Sequence, residues 1–250
     1  IFDVEASATQ SLEQAQIAKL ERVLRMAEVN PGERILEIGC GWGSFAALAA
    51  ERGIHVNGIS LSQEQLRYAT ARLAATPYAA RAHFEYRDYR DYRADEERFD
   101  AVVSIEMIEA VGERYWPAYF QSIAARLRPG GRAVVQAITI DPKLFDRYRV
   151  GSDFIQQYIF PGGMLAPPER WIGEAARAGL GLVDRFSFGR DYAETLRRWR
   201  HAFTRNVDRV RALGFDERFL RMWTFYLAYC EAAFDAGCTD VCQLTFVRQP

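Results

Sequence analysis

Glu37 stands two residues before Gly39, and Gly39, Gly41 and Gly43 alternate with Cys40 and Trp42. An acid followed by alternating glycines suits a ligand held against bare backbone. Glycine adopts positive φ without strain and leaves no Cβ in the way. An apolar run, Ile35 to Ile38, enters this turn, and a small-residue stretch, Phe45-Ala46-Ala47-Leu48-Ala49-Ala50, leaves it. A strand, a tight turn and a helix are therefore predicted, the opening unit of a Rossmann-like fold. The helix start adds free N–H groups and the positive end of a dipole.

A dinucleotide fingerprint would carry its third glycine at position 44, which is Ser44. It would also need an acid at the end of the next strand to hold a ribose. The next apolar run, Ile54-His55-Val56-Asn57-Gly58-Ile59-Ser60, ends without one. Glu-x-Gly-x-Gly-x-Gly instead matches the S-adenosylmethionine (SAM) pattern. That cofactor carries a sulfonium and an ammonium and no phosphate, so Glu37 can attract it. The alternative is a glycine turn that only packs a helix on a strand.

The elements that must position this turn follow from periodicity. Ser11-Leu12-Glu13-Gln14 reads as a capping box for a helix over 12–29, which Pro31-Gly32 ends. Strands are predicted at 34–38, 54–59, 83–86, 99–104 and 133–138, with helices at 43–52, 62–74 and 116–127 between them. Ser62-Gln63-Glu64-Gln65 is a second capping box, and Pro129-Gly130-Gly131 reads as a helix stop. Alternating strands and helices imply a doubly wound, mostly parallel sheet. A strand at 181–188, helices from Tyr192 to Ala236 and an antiparallel last strand at 243–247 complete seven strands. Residues 139–168 break the rhythm as an apolar connection without clear period, which is usually functional in a compact domain. Residues 192–236 are rich in aromatics, including Trp199, Phe203, Phe219, Trp223, Phe225, Tyr226 and Tyr229. These two stretches exceed what a minimal SAM domain needs, and they are expected to cover an apolar substrate.

Composition sets limits. The 250 residues suit one α/β domain, 49% are hydrophobic, and the formal net charge is −1. That charge provides no global pull toward nucleic acid or anionic lipid. Membrane contact must therefore come from a local patch, since no apolar run approaches the length of a membrane span. Cys40, Cys230, Cys238 and Cys242 form no Cys-x-x-Cys pair, and His55, His83 and His201 are the only histidines. No metal site is expected, and a reduced cytoplasmic protein fits better than a disulfide scaffold.

Longer motifs carry a family likeness. They are Leu12-Glu13-Gln14-Ala15-Gln16-Ile17-Ala18-Lys19, Gly39-Cys40-Gly41-Trp42-Gly43, Gly58-Ile59-Ser60-Leu61-Ser62-Gln63-Glu64-Gln65, Asp88-Tyr89-Arg90-Asp91, Ser104-Ile105-Glu106-Met107-Ile108-Glu109-Ala110-Val111-Gly112 and Tyr158-Ile159-Phe160-Pro161-Gly162-Gly163. Across nearly its whole length the chain resembles the cyclopropane-fatty-acyl-phospholipid synthases and mycolic acid cyclopropane synthases. The resemblance implies a Rossmann-like SAM-dependent methyltransferase domain over 1–250, with 139–168 and 192–236 as substrate-covering insertions. Ile1-Phe2 aligns just after a family Tyr-Ser-Cys or Tyr-Ser-Ser segment, so a preceding segment is expected. Ser60, Leu61 and Gln65 correspond to cofactor contacts, beside Glu37, Gly39, Cys40, Gly41 and Gly43. Tyr89 and Arg90 correspond to residues beside the adenine. Glu109 corresponds to a glutamate that helps hold bicarbonate, the general base, with Tyr226 and the backbone of Ile138 completing that site.

Two departures bear on the chemistry. Gln136 stands where many relatives carry histidine, and Ala110 follows Glu109 where histidine is common. An amide hydrogen-bonds but does not titrate, so a charged holder for bicarbonate is missing at position 136.

The implied reaction transfers the SAM methyl to a cis alkene of an unsaturated fatty acyl chain in a phospholipid, at the inner face of the membrane. A base then removes a proton. Taken from the new methyl, it closes a cyclopropane; taken beside the cation after a hydride shift, it leaves a methylene- or methyl-branched chain. Gln136 raises the weight of the branched outcome and lowers the expected dependence on bicarbonate. A small-molecule methyltransferase would need a more polar cover than 139–168 and 192–236 offer, and a non-catalytic lipid-binding relative would not need Glu109 and Tyr226. No nucleic acid partner is expected, and a homodimer is compatible with the sequence.

Overall fold

The computed structural model describes residues 1–2, 9–92 and 98–249. Among them, one sheet is built from β1 (Arg34–Ile38), β2 (His55–Ser60), β3 (Ala82–Tyr86), β4 (Phe99–Ile105), β5 (Leu127–Ile140), β6 (Leu180–Ser187) and β7 (Thr239–Arg248). The helices are α1 (Leu12–Ala27), α2 (Ser44–Glu51), α3 (Gln63–Ala74), α4 (Trp116–Arg126), α5 (Pro142–Val150), α6 (Phe154–Tyr158), α7 (Pro168–Arg177), α8 (Gly189–Arg205), α9 (Val207–Ala212) and α10 (Glu217–Asp235). The strand order is β3-β2-β1-β4-β5-β7-β6. Strands β1 to β5 pair in parallel, and the last strand, β7, is antiparallel. The expected seven-stranded, mostly parallel Rossmann-like sheet is thus present.

The chain moves outward from β1 to β3, then returns to place β4 on the other side of β1. Connections diverge there, and the carboxyl ends of β1 and β4 mark the usual ligand position in doubly wound sheets.

The chain divides into two compact units. One comprises 19–137, 168–186 and 243–250; the other comprises 1–18, 138–167 and 187–242. In the first, alternation within the strands sends Ile35, Val56, Ala101, Val103 and Val134 to one face. Val23 and Ala27 of α1, with Phe45, Ala46 and Ala49 of α2, cover them. Aromatic side chains fill the packing of α4: Trp116 meets Trp171 of α7 edge-on at 5.9 Å, and Phe120 meets Phe246 of β7 at 6.0 Å. Each such buried side chain is worth about 1.5–3 kcal/mol.

Three segments differ from the sequence reading. Helix α4 stops at Arg126, and β5 starts at Leu127 rather than at 133. Phe99 pairs with Leu127 and Ala101 with Arg132, so Pro129-Gly130-Gly131 form an excursion inside the strand rather than a helix stop. A Cβ at Gly131 would lie 2.8 Å from the Asp100 carbonyl oxygen. Residues 139–168 are not an irregular connection, because they carry α5 and α6. Asp141 accepts from the Lys143 N–H at 2.8 Å, and Asp153 with Gln156 forms a reciprocal capping box. These caps start helices too short to show a period. Helix α7 was not foreseen at all.

In the second unit, α8 and α10 lie along each other. Arg197 donates to Glu194 at 2.6 Å, Glu231 at 3.1 Å and Asp235 at 3.0 Å, and Arg200 donates to Glu231 at 2.8 Å. Glu231 is buried, and the Arg200 hydrogen bond holds its carboxyl below the usual carboxylate range. A depressed carboxylate pKa gives stability that is full above the unfolded value and lost as pH falls through the folded one. Glu231→Gln should therefore cost about 1–3 kcal/mol at pH 7. The deficit should be smaller at pH 3, as falling pH approaches the depressed folded value. Denaturant melts at the two pH values check this, and an equal deficit at both would contradict it.

Candidate functional site

The turn after β1 has φ of +81° at Gly39, +52° at Gly41 and +75° at Gly43. The N–H groups of Gly39 and Cys40 both donate to the Ile59 carbonyl, at 2.9 and 3.0 Å, which ties the turn to β2. The three glycines serve different needs. A Cβ at Gly43 would lie 2.8 Å from the Ala69 Cβ of α3, and one at Gly39 would lie 3.0 Å from the Met107 Cγ. Those two permit close packing as well as positive φ. A Cβ at Gly41 meets nothing within 4 Å, so its bare backbone faces open space.

Glu37, the penultimate residue of β1, has only 3% of its surface exposed. Its Oε2 has no hydrogen-bond partner among the described residues. Burial holds its carboxyl well above the usual range. Beside it, burial and then Glu37 push the Cys40 thiol up to about 12, which excludes a thiolate nucleophile at neutral pH.

The second strand's end is braced by side chains. The Ser60 hydroxyl donates to Gln65 Oε1 at 3.2 Å and accepts from the Ser62 N–H at 3.1 Å, while Gln65 N–H donates to the Ser62 hydroxyl at 3.3 Å. Half of the expected capping box forms; the Gln65 side chain bonds Ser60 instead. Leu61 is exposed. Tyr89 is half-buried, edge-on to Tyr119 at 5.6 Å. Arg90 is exposed and doubly bonded to Asp88, at 2.9 and 2.6 Å.

Glu109 is half-buried in a single 3-10 turn, Ile108–Ala110, just past β4. Gln136, fully buried in β5, donates from Nε2 to Glu106 Oε1 at 2.7 Å. Its Oε1 accepts from Gln243 Nε2 at 3.0 Å, and Gln243 Oε1 accepts from Arg22 at 2.9 Å. Gln243 also donates to the Lys19 carbonyl at 3.3 Å, and Arg22 pairs with Asp184 at 2.5 Å. Glu106 itself sits at φ +53°, a region that costs a residue with a Cβ about 1–2 kcal/mol. Burial lowers the pKa of Lys19, and attraction to Glu106 opposes that shift.

Ile138 and Tyr226 belong to the other unit. Ile138 is half-buried in β5. Tyr226 lies on α10, 6.3 Å from Phe160 and 5.0 Å from Trp223 by ring centroids. Phe154 of α6 meets Phe225 of α10 edge-on at 4.8 Å. Tyr158, Phe160, Phe225 and Tyr229 of this cluster are substantially exposed.

The structure thus brings together Glu37, Gly39, Cys40, Ser60 and Gln65, and it joins Gln136 to Glu106. Glu106 and Lys19 were not singled out from the sequence. Glu106 had one signal, its place directly after β4; its partners come from α1, β5 and β7 and leave no local pattern. Among the described residues, no His, Cys, Asp and Glu cluster could hold a metal ion.

With this geometry established, known proteins place the chain. The family model for mycolic acid cyclopropane synthetase matches residues 4–244. A tuberculostearic acid methyltransferase of Mycobacterium tuberculosis is 45% identical over 236 residues, which cover 94% of this chain and 55% of that protein. The cyclopropane-fatty-acyl-phospholipid synthase of Escherichia coli is 35% identical over 240 residues, covering 95% and 59%. The chain therefore spans somewhat more than half the length of these curated relatives. The structure of a mycolic acid cyclopropane synthase complexed with SAH and CTAB superposes with TM-score 0.87 at 27% identity, covering 95% of this chain and 86% of the other. A cyclopropane synthase from Mycobacterium tuberculosis gives TM-score 0.86 at 27% identity, with 96% and 86% covered. The fold is that of SAM-dependent methyltransferases, and the chain belongs to the mycolic acid cyclopropane synthetase family.

Proposed function

We propose that the chain uses SAM to transfer a one-carbon unit to the cis double bond of an unsaturated fatty acyl chain. The observation that carries this reading is Glu37, a buried carboxyl with an unpartnered oxygen at the head of the glycine turn. The residues fit the cofactor. The missing counter-charge at Glu37 suits a cationic ligand, and the open backbone at Gly41 allows one to lie close. Ser60, Leu61, Gln65, Tyr89 and Arg90 serve as the remaining contacts in this reading. When bound, SAM supplies an electrophilic methyl.

The chain's own residues handle the rest. The exposed aromatic cluster of α6 and α10 suits a lipid chain and contact with a phospholipid surface. No helix among the described residues is long and apolar enough to cross a membrane. Aromatic faces attract a carbocation by about 0.5–2 kcal/mol each, and a dry pocket protects it from water. Glu109, Tyr226 and the backbone of Ile138 orient the proton acceptor, which in the bicarbonate variant of this reading is that anion.

Cyclopropane formation is the first product reading, and a methylene- or methyl-branched chain is the second. The neutral amide of Gln136, bonded to Glu106 rather than offered as a cation, favours the second. Resemblance to a tuberculostearic acid methyltransferase supports it. Incubation with SAM and vesicles of monounsaturated phospholipid, followed by mass spectrometry and NMR of the acyl chains, should show one added carbon per modified chain. Methyl transfer only to small amines would defeat the proposal.

Glu37→Gln tests the cofactor end. A raised carboxyl pKa means that folding stability is full at low pH and is lost as pH rises through the folded value. The amide removes that loss, so the ligand-free variant should melt higher than wild type at pH 8. SAM affinity should fall about 10–100-fold, the value of one charged hydrogen bond. Calorimetry with unchanged affinity would exclude Glu37 as a contact.

Gly41→Ala should cost about 1–2 kcal/mol of stability, from positive φ alone. Its Cβ meets no protein atom, so a large loss of SAM affinity would come from the cofactor itself. Full affinity in a folded variant would place the cofactor elsewhere.

A further inference from the structure

Glu106 combines three properties that no structural role requires together. It occupies φ +53° despite carrying a side chain. It lies directly after β4, at the carboxyl edge where the β1 and β4 connections diverge. Its carboxylate accepts a 2.7 Å hydrogen bond from a fully buried amide. Strain of this kind concentrates where a side chain must be aimed for function.

The polarity of that hydrogen bond is dictated from a distance. Arg22 can only donate, so Gln243 must present its oxygen to it at 2.9 Å. Gln243 then presents its nitrogen, donating to Gln136 Oε1 at 3.0 Å and to the Lys19 carbonyl at 3.3 Å. Gln136 is left with its nitrogen facing Glu106. The relay ends on a Glu106 carboxyl oxygen as acceptor. Asp184 anchors the far end through Arg22. The turn bearing Glu106 also abuts the cofactor turn, since a Cβ at Gly39 would lie 3.0 Å from the Met107 side chain.

We propose that Glu106 is the proton acceptor of the reaction, a carboxylate built into the chain and aimed by the Arg22–Gln243–Gln136 relay. This rests on the function proposed above. In the step, a C–H bond of the transferred methyl breaks and its proton passes to a Glu106 oxygen. The electron pair forms the second ring C–C bond, or a C=C bond if a hydride has first shifted from the methylated carbon to the cation. The acid then returns its proton to solvent. Glu109 is a separate carboxylate that shapes the site, and a free bicarbonate ion is not required.

The test uses the purified full chain, unsaturated phospholipid vesicles and buffer stripped of bicarbonate. Wild type should turn over without added bicarbonate. Glu106→Gln should lose about 100-fold or more in turnover, as for removal of a general base, with SAM affinity changed less than about threefold. Glu106→Gly suits the left-handed backbone, which offsets part of the lost Gln136 hydrogen bond, so it should still fold and show the same loss. Added formate or bicarbonate should restore part of the rate in the glycine variant and none in the glutamine variant, a rescue that a purely structural role would not show. Near wild-type turnover in either variant without bicarbonate would overturn the proposal. So would a loss in Glu106→Gly that neither anion relieves. Wild type that transfers no methyl to any unsaturated acyl chain would overturn the function itself along with it.

Discussion

Charge placed at the divergence between β1 and β4 is the constraint on which the rest of the site depends. Two parallel strands end side by side there, and the connections leave in opposite directions. Glu37 is the penultimate residue of one strand and Glu106 follows the other. A carboxylate drawn out of water is costly unless something supplies a counter-charge or donors. The buried Glu37 and the partly buried Glu106 meet this differently. Glu37 is left with an unpartnered oxygen, a debt that a cationic cofactor can settle. Glu106 receives a fixed donor from Gln136.

In the proposed reading, that contrast separates binding from chemistry. An acid whose pKa is raised by burial responds strongly when a cation arrives, so with Glu37 as the contact cofactor affinity is expected to vary with pH. Glu106 instead has one oxygen fixed as acceptor by the Gln136 amide. The glycine turn divides its labour in a similar way. Gly39 and Gly43 let neighbouring side chains approach, and Gly41 leaves backbone open. Loss of stability and loss of cofactor binding should therefore separate along one short motif.

The parallel sheet was legible because its strands are apolar runs punctuated by Gly and Pro, and because Glu37 and its glycines sit at one such boundary. The reading failed where local signals conflict with tertiary pairing. Pro129-Gly130-Gly131 looks like a helix stop, yet pairing of β5 with β4 absorbs it as an excursion. Helices α5 and α6 are too short for periodicity, although Asp141 and Asp153 announce their starts. Around the site, Gln136 stood out only because relatives carry histidine there. Its partners Glu106 and Gln243 lie 30 and 107 residues away, and no window of the sequence joins them. A left-handed glutamate is likewise invisible without a backbone.

The account turns on where the proton is lost after one-carbon transfer to an acyl chain. The most direct measurement supplies SAM with a fully deuterated methyl and follows the label by mass spectrometry of the acyl products. The account predicts acyl chains that gain the labelled carbon and have lost one of its deuterium atoms, whether the product is a ring or a methylene branch. Label retained in full on the transferred carbon, or found only on small molecules, would contradict it.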